Sequence, residues 1–359
     1  MAAVLLTVVA MPAEAVGKPG ADKAPTDAAT ASVKAFFADA NAEWTAPVVG
    51  NGLGVARVSG GSSRVANLRK AVEESGLTVV SADTRTDLLS LRTVSGQLTA
   101  STMVSVAFQW KDTQSGKLTA GSMSDEHVTK LTADGLTVLS DTTIDPTVGV
   151  KDDGVAVPMP GSAKASTVRV RNAGPKVKQT KQAAGFTAMA AGMEGLSYAD
   201  MAAYAKKWSV SATINPAFPT LDNNCANFVS QVLHAGGWNY RGGYVPATLT
   251  NWTPNLTGPA GSSYTWGAAK YLYVFVHVTG QKGYLGNIWN AGIGDLLFTD
   301  WDPNKKADGT IDHTMVVSGY SGQPYISQQT PNRNNIPLSL SISLAASQGR
   351  TVVWYGLIT

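Results

Sequence analysis

A single cysteine, Cys225, in 359 residues excludes an intrachain disulfide framework and every zinc motif built from several thiolates. Four histidines leave few ligands for a metal centre, so whatever chemistry the chain performs must use few titratable groups. Charge is also scarce. Only 15% of residues are charged, and 28 Lys and Arg against 25 Asp and Glu give a net +3, so bulk attraction to nucleic acid is not expected. No apolar run reaches the roughly 20 residues that a membrane-spanning helix needs, so no transmembrane anchor is expected. What is present is ordinary core material: 44% hydrophobic and 8% aromatic residues argue for a packed chain rather than a disordered one. At roughly 150 residues per domain the length suggests two domains.

Residues 1–15 read as an export signal. Ala2 to Met11 is a short apolar run, and Ala13-Glu14-Ala15 follows with small residues at both ends, although no Lys or Arg precedes the run. The expected location is secreted or associated with the cell wall. Residues 16–28 are small and polar and read as a linker. Residues 29–146 read as an α+β accessory domain. Ala31–Trp44 has helical periodicity through Val33, Phe36, Phe37, Ala40 and Trp44, and Arg64–Ser75 is a second helix ending at Gly76. Strand-like segments follow at Leu77–Ser81, Asp87–Val94, Leu98–Lys111, His127–Ala133 and Leu136–Thr142. Two helices followed by a meander resemble cystatin-like or cone-like folds in outline. Residues 147–193 form a basic linker rich in Gly, Ala and Lys. It suits a solvated hinge, or electrostatic contact with an anionic wall.

From 194 to 359 the composition changes. Seven of the nine tryptophans lie here. Helices are expected at Tyr198–Trp208 and Cys225–Ala235, and strands at Gly294–Phe298, Thr314–Tyr320, Tyr325–Gln329 and Thr351–Ile358, which again is α+β. In the second helix Cys225, Phe228, Val229, Val232 and Leu233 share one face. Asp222, Asn223 and Asn224 place its start just before the cysteine, and Gly236-Gly237 stops it. A thiol in a first helical turn is favoured as thiolate by the helix dipole, and the free first-turn N–H groups can hold an oxyanion. A buried structural cysteine is the competing reading.

Among the histidines, His127 falls in the accessory domain, His234 lies too far along the cysteine's own helix, and His277 sits in an apolar run. His313, at the start of a strand, is left as the base for Cys225. Asp300 to Asp312 has calcium-loop spacing in part. It lacks Gly at the sixth position and Glu at the twelfth, where Lys305 and Ile311 stand, so a solvated loop is expected. No cofactor or metal is called for. Trp238, Trp252 and Trp266 follow the cysteine helix and could wall a substrate cleft or simply pack the core.

Several separated blocks then point one way. These are Tyr204-Ala-Lys-Lys-Trp208 before Asn215-Pro216, Asn224-Cys-Ala-Asn-Phe-Val-Ser-Gln231, Leu233-His-Ala-Gly-Gly-Trp238, Gly294-Asp-Leu-Leu-Phe298 and Asp312-His-Thr-Met-Val-Val317. Together they resemble the bacterial family described as the "putative amidase domain", over about residues 197–357, in the family's order. That family is related to papain-like peptidoglycan amidases and peptidases. The resemblance implies a papain-like domain, with a helix bearing the cysteine packed on an antiparallel sheet bearing the histidine. It also implies Cys225 as nucleophile and His313 as base. Where the family often has an acidic residue before the cysteine, this chain has Asn224, a side-chain donor suited to an oxyanion hole. The third polar group is implied on the strand after the histidine strand, where Gln328 is preferred and Gln329 is the neighbouring alternative. The expected function is thiol-dependent hydrolysis of an amide in cell-wall peptide or a related peptide, with peptide or peptidoglycan as the partner. The alternatives are an acyltransferase using the same pair and a non-catalytic wall-binding module.

Overall fold

The structure is a computed structural model that describes residues 23–45, 62–144, 196–210, 214–242, 249–255, 261–280, 282–301, 307–348 and 352–359. The expected signal segment 1–15 and the basic linker 147–193 lie outside the described residues. The fold is α+β, built on a large antiparallel sheet.

Helix α1 (Lys23–Thr45) starts several residues before the expected helix, inside the segment read as linker, and α2 (Ser62–Glu74) follows. Ala29, Val33, Phe37 and Trp44 of α1 and Leu68 and Val72 of α2 are buried apolar positions, as their helical spacing requires. Next comes a meander of long strands, β1 (Leu77–Val94), β2 (Gln97–Asp112), β3 (Leu118–Leu131) and the short β4 (Val138–Thr143). The two segments read as separate strands at 77–81 and 87–94 are one strand. Register shifts between Val79 and Ser81 and between Leu88 and Ser90 break its alternation, which hides its continuity from a period-two reading. Along β2 every second residue from Leu98 to Trp110 is buried, and the odd positions between them are partly or fully exposed.

The second half begins with α3 (Tyr198–Trp208), where the Ser197 side chain accepts from the Asp200 N–H as an N-cap. Then come α4 (Cys225–Ala235), the short α5 (Tyr264–Gly267) and α6 (Ala269–Val274), which runs on into a π-helical turn, Phe275–Thr279. The strands are β5 (Leu296–Asp300), β6 (His313–Ser321), β7 (Gln323–Gln328), β8 (Arg333–Pro337) and β9 (Val353–Leu357), with α7 (Leu338–Ser347) between the last two.

All these strands join one sheet in the order β1-β2-β3-β8-β7-β6-β5-β9, with β4 paired to β3. The halves meet where β3 pairs with β8, at Ser122 opposite Asn334 and Met123 opposite Arg333. The approach is close enough that a Cβ at Gly121 would collide with the Asn335 carbonyl, so only glycine fits there. The Asn335 side-chain amide donates to Ala120 O at 2.7 Å, and Arg333 donates to Ser124 O at 2.9 Å.

The sheet has two differently furnished faces in its second half. Leu296 and Phe298 of β5 and Val316 of β6 pack with Phe228, Val229, Val232 and Leu233 of α4 and with Trp252, Trp266 and Phe275. The opposite face carries Leu297, Met315, Val317 and Trp354. It belongs to a core layer that runs on under α7 and into the first half beneath α1 and α2.

Candidate active site

The local sequence sets the stage for Cys225. Asn224 is the N-cap of α4, but its side chain caps no first-turn amide. Its Oδ1 instead accepts from the Leu221 N–H at 3.1 Å and from Asn227 Nδ2 at 2.7 Å, while its Nδ2 donates to Gln329 Oε1. The first-turn N–H groups are thus left to the thiol. The backbone amides of Cys225, Ala226 and, from β6, Thr314 all favour the thiolate. Burial outweighs them, with a smaller contribution from the Asp312 carboxylate, and pushes the Cys225 thiol up to about 12.

His313 begins β6, one residue before the Thr314 amide. Its cross-strand partner is Thr299. Alternation puts His313 with Met315 and Val317, whereas Thr314 and Val316 turn to the face covered by α4. The imidazole stacks on Trp301, with ring centroids 4.8 Å apart and an 18° interplanar angle. Burial drives its pKa down to about 3, the Gln328 amide opposes this, and the Arg333 guanidinium lowers it further. Neither ring nitrogen has a hydrogen-bond partner, and the same holds for the buried Gln328 Oε1. Gln328 and the ring therefore face each other without reaching hydrogen-bond geometry. The thiol and the imidazole are not hydrogen-bonded either.

The structure thus brings Cys225 to the first residues of the His313 strand and Gln328 to the His313 ring, but holds thiol and imidazole apart as two neutral, buried groups. The two glutamines part company as strand alternation requires. Gln328 goes to the imidazole, whereas Gln329 accepts from Asn224 Nδ2 at the start of the cysteine helix and donates from its Nε2 to Trp208 O at the end of α3, at 2.5 Å. Asn224, expected as an oxyanion donor, is engaged with Gln329 and carries the cap region instead.

Trp252 and Trp266 are fully buried and Trp238 is 5% exposed, so none of the three can stack on a ligand in this conformation. They pack the far side of α4: Trp252 Nε1 donates to Ser230 Oγ at 3.0 Å, and Trp266 Nε1 donates to Asn227 Oδ1 at 2.6 Å. Sequence reasoning passed over Asn227, which sits at the centre of a buried amide relay. Gln231 Nε2 donates to its Oδ1 at 3.1 Å, and the Tyr204 hydroxyl donates to Gln231 Oε1 at 2.7 Å. The signal was available, because Asn224, Asn227 and Gln231 recur at the i, i+3, i+7 spacing of one helical stripe. Trp301, Arg333 and Asp125 were also missed, and no local pattern announces them.

The loop ahead of His313 is tied inward by carboxylates. Asp300 accepts from the Asp308 and Gly309 amides at 3.1 and 2.8 Å, and Asp312 accepts from the Trp301 amide at 2.6 Å. Residues 302–306, part of the partial calcium-loop pattern, lie outside the described residues. Among the described residues no three His, Cys, Asp or Glu converge as a metal site, and no helix is long and apolar enough to cross a membrane.

The site is thus a helix-borne thiol beside an antiparallel sheet that carries a buried histidine. Residues 195–354 match the model of the "putative amidase domain" family, the same stretch whose blocks resemble it. Two proteins of Bacillus subtilis (strain 168) are similar to part of the chain. "Uncharacterized protein YjcM" is 28% identical over 157 residues, 42% of this chain and 35% of the relative. "Uncharacterized protein YhbB" is 29% identical over 131 residues, 32% of this chain and 36% of the relative. The chain thus spans about a third of the length of these curated relatives. No solved structure matches it significantly.

Proposed function

We propose that the second half of this chain is an exported, papain-like thiol amidase acting on amide bonds of cell-wall peptide or a related peptide. Cys225 is the nucleophile, His313 the general base and then acid, and Gln328 the group that orients the imidazole. His313 takes the thiol proton as Cys225 attacks the carbonyl carbon. The tetrahedral oxyanion is held by backbone N–H groups of the first turn of α4. Collapse expels the amine, which takes its proton from the imidazolium, and water then hydrolyses the thioester to release the acid and restore the thiol.

The observation that carries this reading is the place of Cys225 in the first turn of α4, packed against the start of β6, where the Ala226 and Thr314 amides favour the thiolate and Thr314 is next in sequence to His313. The resting pair is uncharged, so substrate entry must bring the His313 ring across to the thiol and into contact with Gln328 Oε1. The wall-peptide substrate follows from resemblance alone.

The test is amine release from purified peptidoglycan by wild type, Cys225→Ala and His313→Ala. Release by wild type with a loss of at least about a thousandfold in both variants is the expected result. Equal release by all three proteins sinks the thiol mechanism. An inert wild type sinks the wall substrate.

A further inference from the structure

The first half of the chain reaches the imidazole through a single buried ion pair. Arg333 of β8 lies opposite Gln328 of β7 in the strand register and is close enough to His313 to act on its charge. Its Nη2 donates to Asp125 Oδ1 of β3 at 2.7 Å, with the two side chains only 5% and 7% exposed. Its Nη1 donates to the Ser124 and Asn332 carbonyls at 2.9 and 3.0 Å. The guanidinium is therefore held mainly by β3, with one further bond to the carbonyl of its own neighbour Asn332. The core layer on which His313 lies is also the one continuous with α1 and α2.

We infer that Asp125 is a positioning residue: by holding Arg333 beside Gln328, the first half of the chain sets the orientation and charge balance of the His313 imidazole. This rests on the amidase reading for its functional meaning, though not for its physical test. A buried guanidinium without a counter-charge would swing or draw in water. Gln328, its cross-strand neighbour, would then lose the wall against which it faces the ring. Electrostatically the two partners act with opposite sign, since the cation disfavours the imidazolium and the carboxylate offsets the cation. Other charged or titratable groups on packed elements are Cys225 on α4, Asp300 on β5 and Asp312 just before β6. Tyr198, Asp200, Tyr204, Lys206 and Lys207 lie on α3, His234 on α4, Tyr325 on β7, and Lys270, Tyr271 and Tyr273 on α6. All of these remain unchanged in the variants below.

The experiment is a pH titration of the His313 ring by nitrogen-15 NMR, assigned by loss of its signals in His313→Gln. It is run on wild type, Asp125→Asn, Arg333→Gln and the double variant, with amide release measured in parallel. The expected order of ring protonation, from high pH to low, is Arg333→Gln, then wild type, then Asp125→Asn. Amide release should fall at least tenfold in each single variant, with its acid limb displaced in the same order. A structural role alone would lower stability without producing opposite displacements, so ring titrations that do not move, or that move the same way, overturn the inference. If a single variant does not fold, the double variant decides, because it removes both charges. Protonation at higher pH than wild type is then expected, and an unchanged titration overturns the inference. Should wild type release no amine while the titrations keep the stated order, the positioning role stands and the amidase reading falls.

Discussion

Cys225 and His313 are each costly to ionise where they sit, and that cost sets the pH range over which the fold is most stable. His313 stays neutral to about 3 in the folded chain, while in the unfolded chain it takes a proton below its ordinary 6.5. The unfolded state therefore binds more protons between these values, and this contribution to stability is lost as pH falls through that window. Cys225 holds its proton to about 12, whereas the unfolded thiol loses it above its ordinary 9.0, so stability falls again as pH rises beyond that value. Asp295 works against His313 in acid. Burial raises it to about 6, so between 3.8 and that value the folded state holds the extra proton and stability declines with pH. Denaturation midpoints measured from pH 4 to 10 should show an alkaline decline in wild type that is reduced in Cys225→Ala, the remainder coming from tyrosines such as Tyr204 and Tyr325, whose hydroxyls burial also holds protonated. The acid limb should flatten in His313→Gln. The same burial makes the resting thiol slow toward iodoacetamide below pH 8, where an activated cysteine would alkylate fast, and an alkylation time course reads this directly.

Helix α4 depends on its polar stripe as much as on its apolar one. Asn227 accepts from the Trp266 indole and the Gln231 amide, and it donates to Asn224 Oδ1, which the Leu221 N–H also reaches. Asn227→Ala should cost at least about 2 kcal/mol in urea unfolding, because buried partners are left unpaired. Phe228→Ala, by contrast, should cost about 3–5 kcal/mol through lost contact and cavity. Helices with strong periodicity were readable without the structure. Tyr198–Trp208 and Cys225–Ala235 have the bounds their caps and breakers suggest, and β6 differs from its reading by one residue at each end. What escaped is what tertiary pairing alone creates. The β8 segment, Arg-Asn-Asn-Ile-Pro, has a polar stretch and a proline and gains its strand geometry from β3 and β7. The seventh helix, rich in Leu and Ser, carries apolar residues on most sides and so shows little one-faced periodicity. At the site, the cysteine, the histidine strand and the glutamine pair were legible because alternation and helix signals are local. The faces on which thiol and ring lie, and the Arg333–Asp125 pair, depend on residues some two hundred positions apart.

The chain behaves at the largest scale as one sheet, with β1 and β9 as its outer strands. Residues 196–359 expressed alone would bare the β8 edge and strand Arg333 without its carboxylate. That fragment should self-associate where the full chain does not, and size-exclusion chromatography of the two would show it. The join itself is narrow. Two residue pairs link β3 to β8, whereas β1 and β2 are paired over nearly their whole length. Regarded as a mechanical object, the molecule is two stiff plates joined by a short seam in the sheet and backed by the core layer between α2 and α7. A load applied across it would fall on that seam and on the packing of α2 against α7 together, so the ion pair of Arg333 and Asp125 would share the strain with the core.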